Sequence, residues 1–299
     1  MKLRIGSRGS ALALWQARHV AGRLEAIGHD VEIRTITTTG DRVLESRLEV
    51  VGGKGAFLKE IEEALLGGQV DLGVHSLKDV PTALPGGLQL CAVLERADPR
   101  DAFLSATGTT LTALPAGACV GTTSLRRRCQ LKALRPDLRV ADLRGNVDTR
   151  IRRLREGSYD AIVLAMAGLM RLGRESEVTH ALEAEVLLPA PGQGAICLEC
   201  RLDATAVGAA VAPLHHGPTA AAVEAERAFL AALGGGCNVP LGAHASFLPS
   251  GSLRLMALIG DPEGATVLRG EARGADPIAL GRSVAADLAS RGAAGLLGR

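Results

Sequence analysis

The chain has 299 residues, 47% of them hydrophobic and 22% charged, which suits two or three globular domains of roughly 100–200 residues and excludes disorder or a coiled coil as a description of the whole. Its 34 Lys and Arg against 32 Asp and Glu leave a net charge of +2, so no global field selects a polyanionic partner. Six aromatic residues (four Phe, one Trp, one Tyr) argue against a base-stacking nucleic-acid surface. Lys2, Arg4 and Arg8 interrupt the N-terminus before an apolar leader core can form, and the longest apolar run, 161–170, is shorter than the ~18–20 residues of a membrane span. A cytoplasmic protein without membrane contact is expected.

In chain order, Leu3–Gly6 reads as a strand, Ala11–Ile27 as a helix and Val31–Thr37 as a strand. Ala56–Leu66 reads as a helix with Phe57, Ile61, Ala64 and Leu65 on one face, and Asp71–His75 as the next strand. The pattern restarts with a strand at Ala118–Gly121, a helix at Leu125–Leu134 and a strand at Leu138–Ala141, then a helix at Val147–Glu156 and a strand at Ala161–Leu164. Alternation of this kind predicts α/β domains with largely parallel sheets. A helix over Thr219–Leu233, strands over Leu241–Phe247, Leu253–Ile259 and Thr266–Ala272, and a last helix over Asp276–Ser290 predict a small α+β domain.

Local charge says more than the total. Residues 121–155 carry eleven Lys or Arg against three Asp, an excess of eight, so the other residues sum to −6. Arg126 and Arg127 follow Gly121-Thr122-Thr123-Ser124, Arg144 precedes Gly145-Asn146, and Arg8 follows the first strand. Ligands of open α/β sheets bind outside the carboxyl ends of the strands, and guanidinium forks there match carboxylate or phosphate oxygens. Arg128, Arg135, Arg152 and Arg153 read instead as solvated helix-surface charges. The absence of aromatic residues from 121–155 favours a small polyanion over nucleic acid.

Val74-His75-Ser76-Leu77-Lys78-Asp79-Val80-Pro81 sets Ser76, Lys78 and Asp79 directly after a strand, where an acid can stay ionised and stabilise a developing cation, or deliver a proton to a leaving group. Lys54, in Gly52-Gly53-Lys54-Gly55, sits on an anion-accepting loop without the full P-loop spacing. Cys237, on a loop after three glycines, suits nucleophilic or tethering chemistry. Cys197-Leu198-Glu199-Cys200 has metal-ligand spacing but no second pair, so it reads as structural, as does His215-His216 at a helix end; no metal is expected.

The chain resembles the porphobilinogen deaminase (hydroxymethylbilane synthase) family from about Leu3 to Arg273. The resemblance rests on Ile5–Gln16, Gly52–Phe57, Val74–Pro81, Glu95–Phe103, Val120–Arg127, Leu143–Asn146, Leu188–Gly194 and Gly235–Pro240. It implies an α/β fold with two periplasmic-binding-protein-like α/β domains, plus a small C-terminal α+β domain with a three-stranded antiparallel sheet. Domain 1 would hold 1–94 and 195–213, domain 2 95–194 and domain 3 214–299. It implies a monomeric transferase that condenses porphobilinogen head to tail and loses ammonia at each addition. The primer would be a dipyrromethane cofactor, thioether-linked to Cys237. It further implies Asp79 as the catalytic acid. Arg8, Arg126, Arg127, Arg144 and Arg150 would hold carboxylates, with Ser10, Lys54, Ser76, Lys78, Thr122 and Ser124 adding hydrogen bonds or charge. Two departures stand out: Asp148 puts an acid two positions from Arg150, and Val50 stands where some members carry Lys. The alternative is a non-enzymatic, two-lobed anion-binding protein.

Overall fold

The computed structural model describes residues 1–39, 58–234 and 239–297. The chain forms two compact units, one of Met1–Ala97 with Gly194–Ala220 and one of Asp98–Gln193 with Ala221–Arg299.

The first unit is a five-stranded sheet of order β2-β1-β3-β10-β4, made of β1 (Lys2–Ser7), β2 (Asp30–Thr35), β3 (Leu72–Ser76), β4 (Leu88–Val93) and β10 (Ile196–Arg201). β1 runs parallel to β2 and β3, whereas β10 is antiparallel to both β3 and β4. Side chains alternate along a strand, so the sheet has two apolar faces. On one, Leu3, Ile5, Leu72, Val74 and Leu198 meet Ala17, Val20 and Leu24 of α1 (Ala11–Glu25). On the other, Ile61, Ala64 and Leu65 of α2 (Lys59–Leu66) pack with Val70 and Leu88. The first helix stops short of its expected end because Gly28 turns the chain with φ +88°, a conformation that favours glycine.

The second unit repeats that plan with β5 (Asp101–Ser105), β6 (Cys119–Gly121), β7 (Arg139–Ala141), β8 (Ala161–Ala165) and β9 (His180–Leu182), in the order β7-β6-β8-β5-β9. β6 is parallel to β7 and β8, and β5 is antiparallel to β8 and β9. The helices α3 (Leu125–Leu134), α4 (Val147–Arg155) and α5 (Met166–Arg171) follow β6, β7 and β8 respectively.

The same unit carries the antiparallel sheet β11-β12-β13, from β11 (Leu241–Phe247), β12 (Leu253–Gly260) and β13 (Val267–Gly274). Phe229 and Leu233, with Leu280, Val284 and Leu288 of α8 (Pro277–Leu288), bury Leu255 and Ile259 beneath them. Gly281 lets α8 approach α7 (Gly217–Ala232) closely, since a Cβ there would stand 2.4 Å from the Ala225 carbonyl oxygen. The architecture is therefore two mixed-sheet α/β domains and a small α+β domain. Strands β4, β5 and β9 go beyond the elements read along the sequence, because short strands entering antiparallel leave no βαβ signature.

Candidate functional site

In the first unit, Ser7 ends β1 and its buried hydroxyl donates to the Arg8 and Ala13 carbonyls, which locks the turn into α1. Ser10 is the N-cap of that helix and accepts from the Ala13 amide at 3.3 Å, so its hydroxyl already satisfies an orphan helix donor. Arg8 lies half-buried between them.

β3 ends at Ser76 and leads into a single 3-10 turn, Leu77–Asp79. Leu77 and Val80 are buried and anchor the turn, with the Leu77 amide donating to the Ala195 carbonyl at 3.0 Å. Lys78 and Asp79, between the anchors, stay half-exposed. Gln16, buried on α1, donates to the Ser76 hydroxyl at 2.8 Å and fixes the start of the turn. Beneath the strand, His75 Nε2 meets Glu199 Oε2 at 3.0 Å, and both residues are buried. Glu62 on α2 is pushed up by burial and by the nearby Glu199 charge. Sequence reasoning gave no role to this polar pair.

In the second unit, Ser124 is the N-cap of α3 and accepts from the Arg127 amide at 3.4 Å, while buried Thr122 accepts from the Ser124 amide at 3.1 Å. Arg126 and Arg127 both turn inward to Asp101, the first residue of β5. Arg126 Nη1 lies 2.7 Å from Oδ2, and Arg127 Nη2 lies 2.7 Å from Oδ1. Asp101 is 0% exposed; burial would raise its carboxyl, but the two guanidinium charges overcome this and hold it well below the usual carboxylate range.

Arg144 is exposed and makes no hydrogen bond or ion pair with the described residues. Next to it, Gly145 adopts φ +114° and its carbonyl accepts from Arg150 Nε at 2.7 Å, while Asn146 caps α4. Asp148 is engaged by Arg174 at 2.9 Å. The acid that the sequence set beside Arg150 thus has a cation of its own.

Arg128 pairs with Glu263 and Arg152 with Glu156, as surface helix charges do. Arg135 departs from its reading as a solvated charge: it donates to the Leu111, Thr112 and Leu114 carbonyls and pairs with Asp137, tying a loop to the end of α3. Arg171, at the end of α5, was missed; burial pulls it down to about 10. The signal available was a lone cation closing the apolar run 161–170.

Cys197 and Cys200 occupy opposite faces of β10, since Ile196, Leu198 and Cys200 share the α1-side core and Cys197 donates to the His75 carbonyl. They cannot chelate one ion, and no group of His, Cys, Asp and Glu able to hold a metal occurs among the described residues. His216 accepts from the Thr219 amide at the start of α7, as expected of a helix end. Lys54, Val50 and Cys237 lie outside the described residues.

Among the described residues, no helix is long and apolar enough to cross a membrane. Solved structures similar to this chain include a TRAP periplasmic solute binding protein from Desulfovibrio salexigens DSM2638, 11% identical, with 72% of each chain covered and a TM-score of 0.43. A lipoprotein of the YaeC family from Enterococcus faecalis V583 is 11% identical, with 73% of this chain and 93% of that one covered and a TM-score of 0.44. The family model described as porphobilinogen deaminase, dipyromethane cofactor binding domain, matches residues 3–209, and that of the porphobilinogen deaminase C-terminal domain matches residues 220–290.

Proposed function

The chain belongs to the porphobilinogen deaminase family, and from that premise we propose that it condenses four porphobilinogen molecules head to tail into hydroxymethylbilane, with release of four ammonia. The family makes it a transferase-type enzyme of tetrapyrrole biosynthesis. The observation that carries the finer reading is the Leu77–Asp79 turn. It holds an acid and an amine half-exposed at the carboxyl end of a parallel strand, inside the segment matched to the cofactor-binding domain.

The residues present fit a polycarboxylate. Arg126, Arg127 and Asp101 carry one surplus positive charge, and Arg144 is an exposed cation. A dipyrromethane, when bound, supplies the primer that substrate units extend. In this reading Cys237 forms the thioether to it. Arg8, Arg126, Arg127, Arg144 and Arg150 receive ring acetates and propionates, while Ser10, Lys54, Ser76, Lys78, Thr122 and Ser124 add hydrogen bonds or charge. In its protonated form Asp79 passes its proton to the departing amine, and the carboxylate left behind accepts a hydrogen bond from a pyrrole N–H and offsets the positive charge that develops there.

The reading also assigns 1–94 with 195–213 to domain 1, 95–194 to domain 2 and 214–299 to domain 3. It makes the protein a cytoplasmic monomer whose partner is the small-molecule substrate rather than nucleic acid or membrane.

The test is the intact mass of the purified protein beside that of Cys237→Ser, each before and after incubation with porphobilinogen. A gain of two linked pyrrole units on wild type, absent from the variant, is expected. A bare mass on wild type after incubation overturns the reading and favours an anion-binding protein without chemistry.

A further inference from the structure

Asp101 lies in the Glu95–Phe103 motif, for which the sequence offered no role. Its carboxylate accepts from three side chains: Arg126 Nη1 on Oδ2 at 2.7 Å, Arg127 Nη2 and Nε on Oδ1 at 2.7 and 3.2 Å, and Gln193 Nε2 on Oδ1 at 2.9 Å. Each donor is also tied to backbone. Arg126 Nη1 reaches the Leu188 carbonyl at 2.7 Å and Arg127 Nη1 the Val163 carbonyl at 2.9 Å, while Gln193 Nε2 reaches that of Pro99 at 2.7 Å. The Leu188 carbonyl is held from a second side by Gln130, whose Oε1 accepts from the Leu188 amide.

Two consequences follow from donor and charge counting. Among the described residues Arg126 bonds through Nη1 alone, and its Nε–Nη2 edge makes no hydrogen bond with them although the side chain is 6% exposed. A guanidinium presents five N–H donors as forks, and an uncommitted fork matches one carboxylate. One carboxylate against two buried guanidiniums also leaves one positive charge unbalanced, which is costly away from water until an anion arrives.

We propose that Asp101, assisted by Gln193, is a positioning residue that turns Arg126 so that its Nε–Nη2 fork faces an incoming ring carboxylate, and holds two like charges together as one rigid anion receptor. This rests on the porphobilinogen reading. Asp101 itself touches no substrate; it acts through Arg126.

The experiment compares porphobilinogen with its dimethyl ester, in wild type, Asp101→Asn and Gln193→Leu, with rates normalised to the fraction of protein carrying the two-pyrrole adduct. Discrimination is the ratio of kcat/KM for the acid to that for the ester. In Asp101→Asn the acid's KM should rise about tenfold or more with kcat nearly kept, and discrimination should fall by the same factor. A structural defect alone would lower both substrates equally and leave discrimination unchanged, which overturns the proposal. If Asp101→Asn fails to fold, Gln193→Leu decides: discrimination should fall about threefold, the loss of one neutral donor, and an unchanged value overturns the proposal. Wild type that never consumes porphobilinogen overturns the functional reading and this inference together, whereas active wild type with unchanged discrimination in a folded variant overturns this inference alone.

Discussion

The two five-stranded sheets share one plan, yet their carboxyl ends are built in opposite ways. In each, a serine after the first parallel strand caps a helix, and a buried glutamine follows six positions later: Ser10 and Gln16 in one, Ser124 and Gln130 in the other. In each, an antiparallel strand meets the last residue of a parallel one, Ile196 opposite Ser76 and Asp101 opposite Ala165. The second and third helical positions are Leu12 and Ala13 in the first sheet but Arg126 and Arg127 in the second. Topology therefore supplies equivalent places, and pairs of residues distant in sequence decide whether a place is apolar or charged. In the first unit the acid Asp79 sits on a turn anchored by its neighbours Leu77 and Val80. In the second, the basic pair is buried and held by Asp101. Under the proposed function, activity and stability should be separable in the first place and coupled in the second.

The sharpest way to break that contrast is Asp79→Asn. Turnover of porphobilinogen should fall by about 10²–10⁴, the usual worth of a proton-transferring group, while the melting temperature stays within about 2 °C. A large loss of melting temperature would mean that Asp79 is structural and the contrast false.

Asp101→Ala should behave the other way. Removing the carboxylate leaves two buried guanidiniums uncompensated, and urea unfolding should show about 3–5 kcal/mol of lost stability. Ile196→Val, at the equivalent register position, should cost only about 0.5–1.5 kcal/mol.

Acid titration sharpens the same difference. The folded Asp101 carboxyl lies below its unfolded value of about 3.9, so its contribution is present above about pH 4 and is lost as pH falls through the folded value. The stability difference between wild type and Asp101→Ala should therefore shrink on acidification below about pH 4, and a constant difference would contradict the burial argument.

Smallest of all, Ser10→Ala and Ser124→Ala should each cost about 1 kcal/mol as lost helix caps, measured by urea unfolding. Equal costs would show that the capping role is shared between the sheets. Any loss of activity beyond that would report a separate role for the hydroxyl.

The parallel strands and their helices were legible because βαβ units announce themselves by alternating period. Leu125–Leu134 and Leu241–Phe247 match to the residue. The antiparallel strands β4, β5 and β9 were not legible along the chain: β5 carries no periodicity that distinguishes it from a loop-bound apolar run, and its place beside β8 depends on residues some sixty positions away. The position of Asp79 after a strand could be read directly. That Arg126 and Arg127 turn inward could not, since their partner Asp101 is 25 and 26 residues upstream. For the same reason Asp148 looked like a neighbour of Arg150 when its partner is Arg174, 26 residues on.

The placement of β10 between β3 and β4 has a consequence for synthesis on the ribosome. β3 and β4 are translated before Ile196–Arg201, so each must wait with an open edge of unpaired amides and carbonyls on the side that β10 will fill. The other five-stranded sheet holds all its strands once Leu182 has emerged. At about 5–20 residues per second, that interval offers the waiting edges time to pair wrongly, and it makes chaperone shelter most valuable to the N-terminal segment. Of the two five-stranded sheets, the one that begins first closes last.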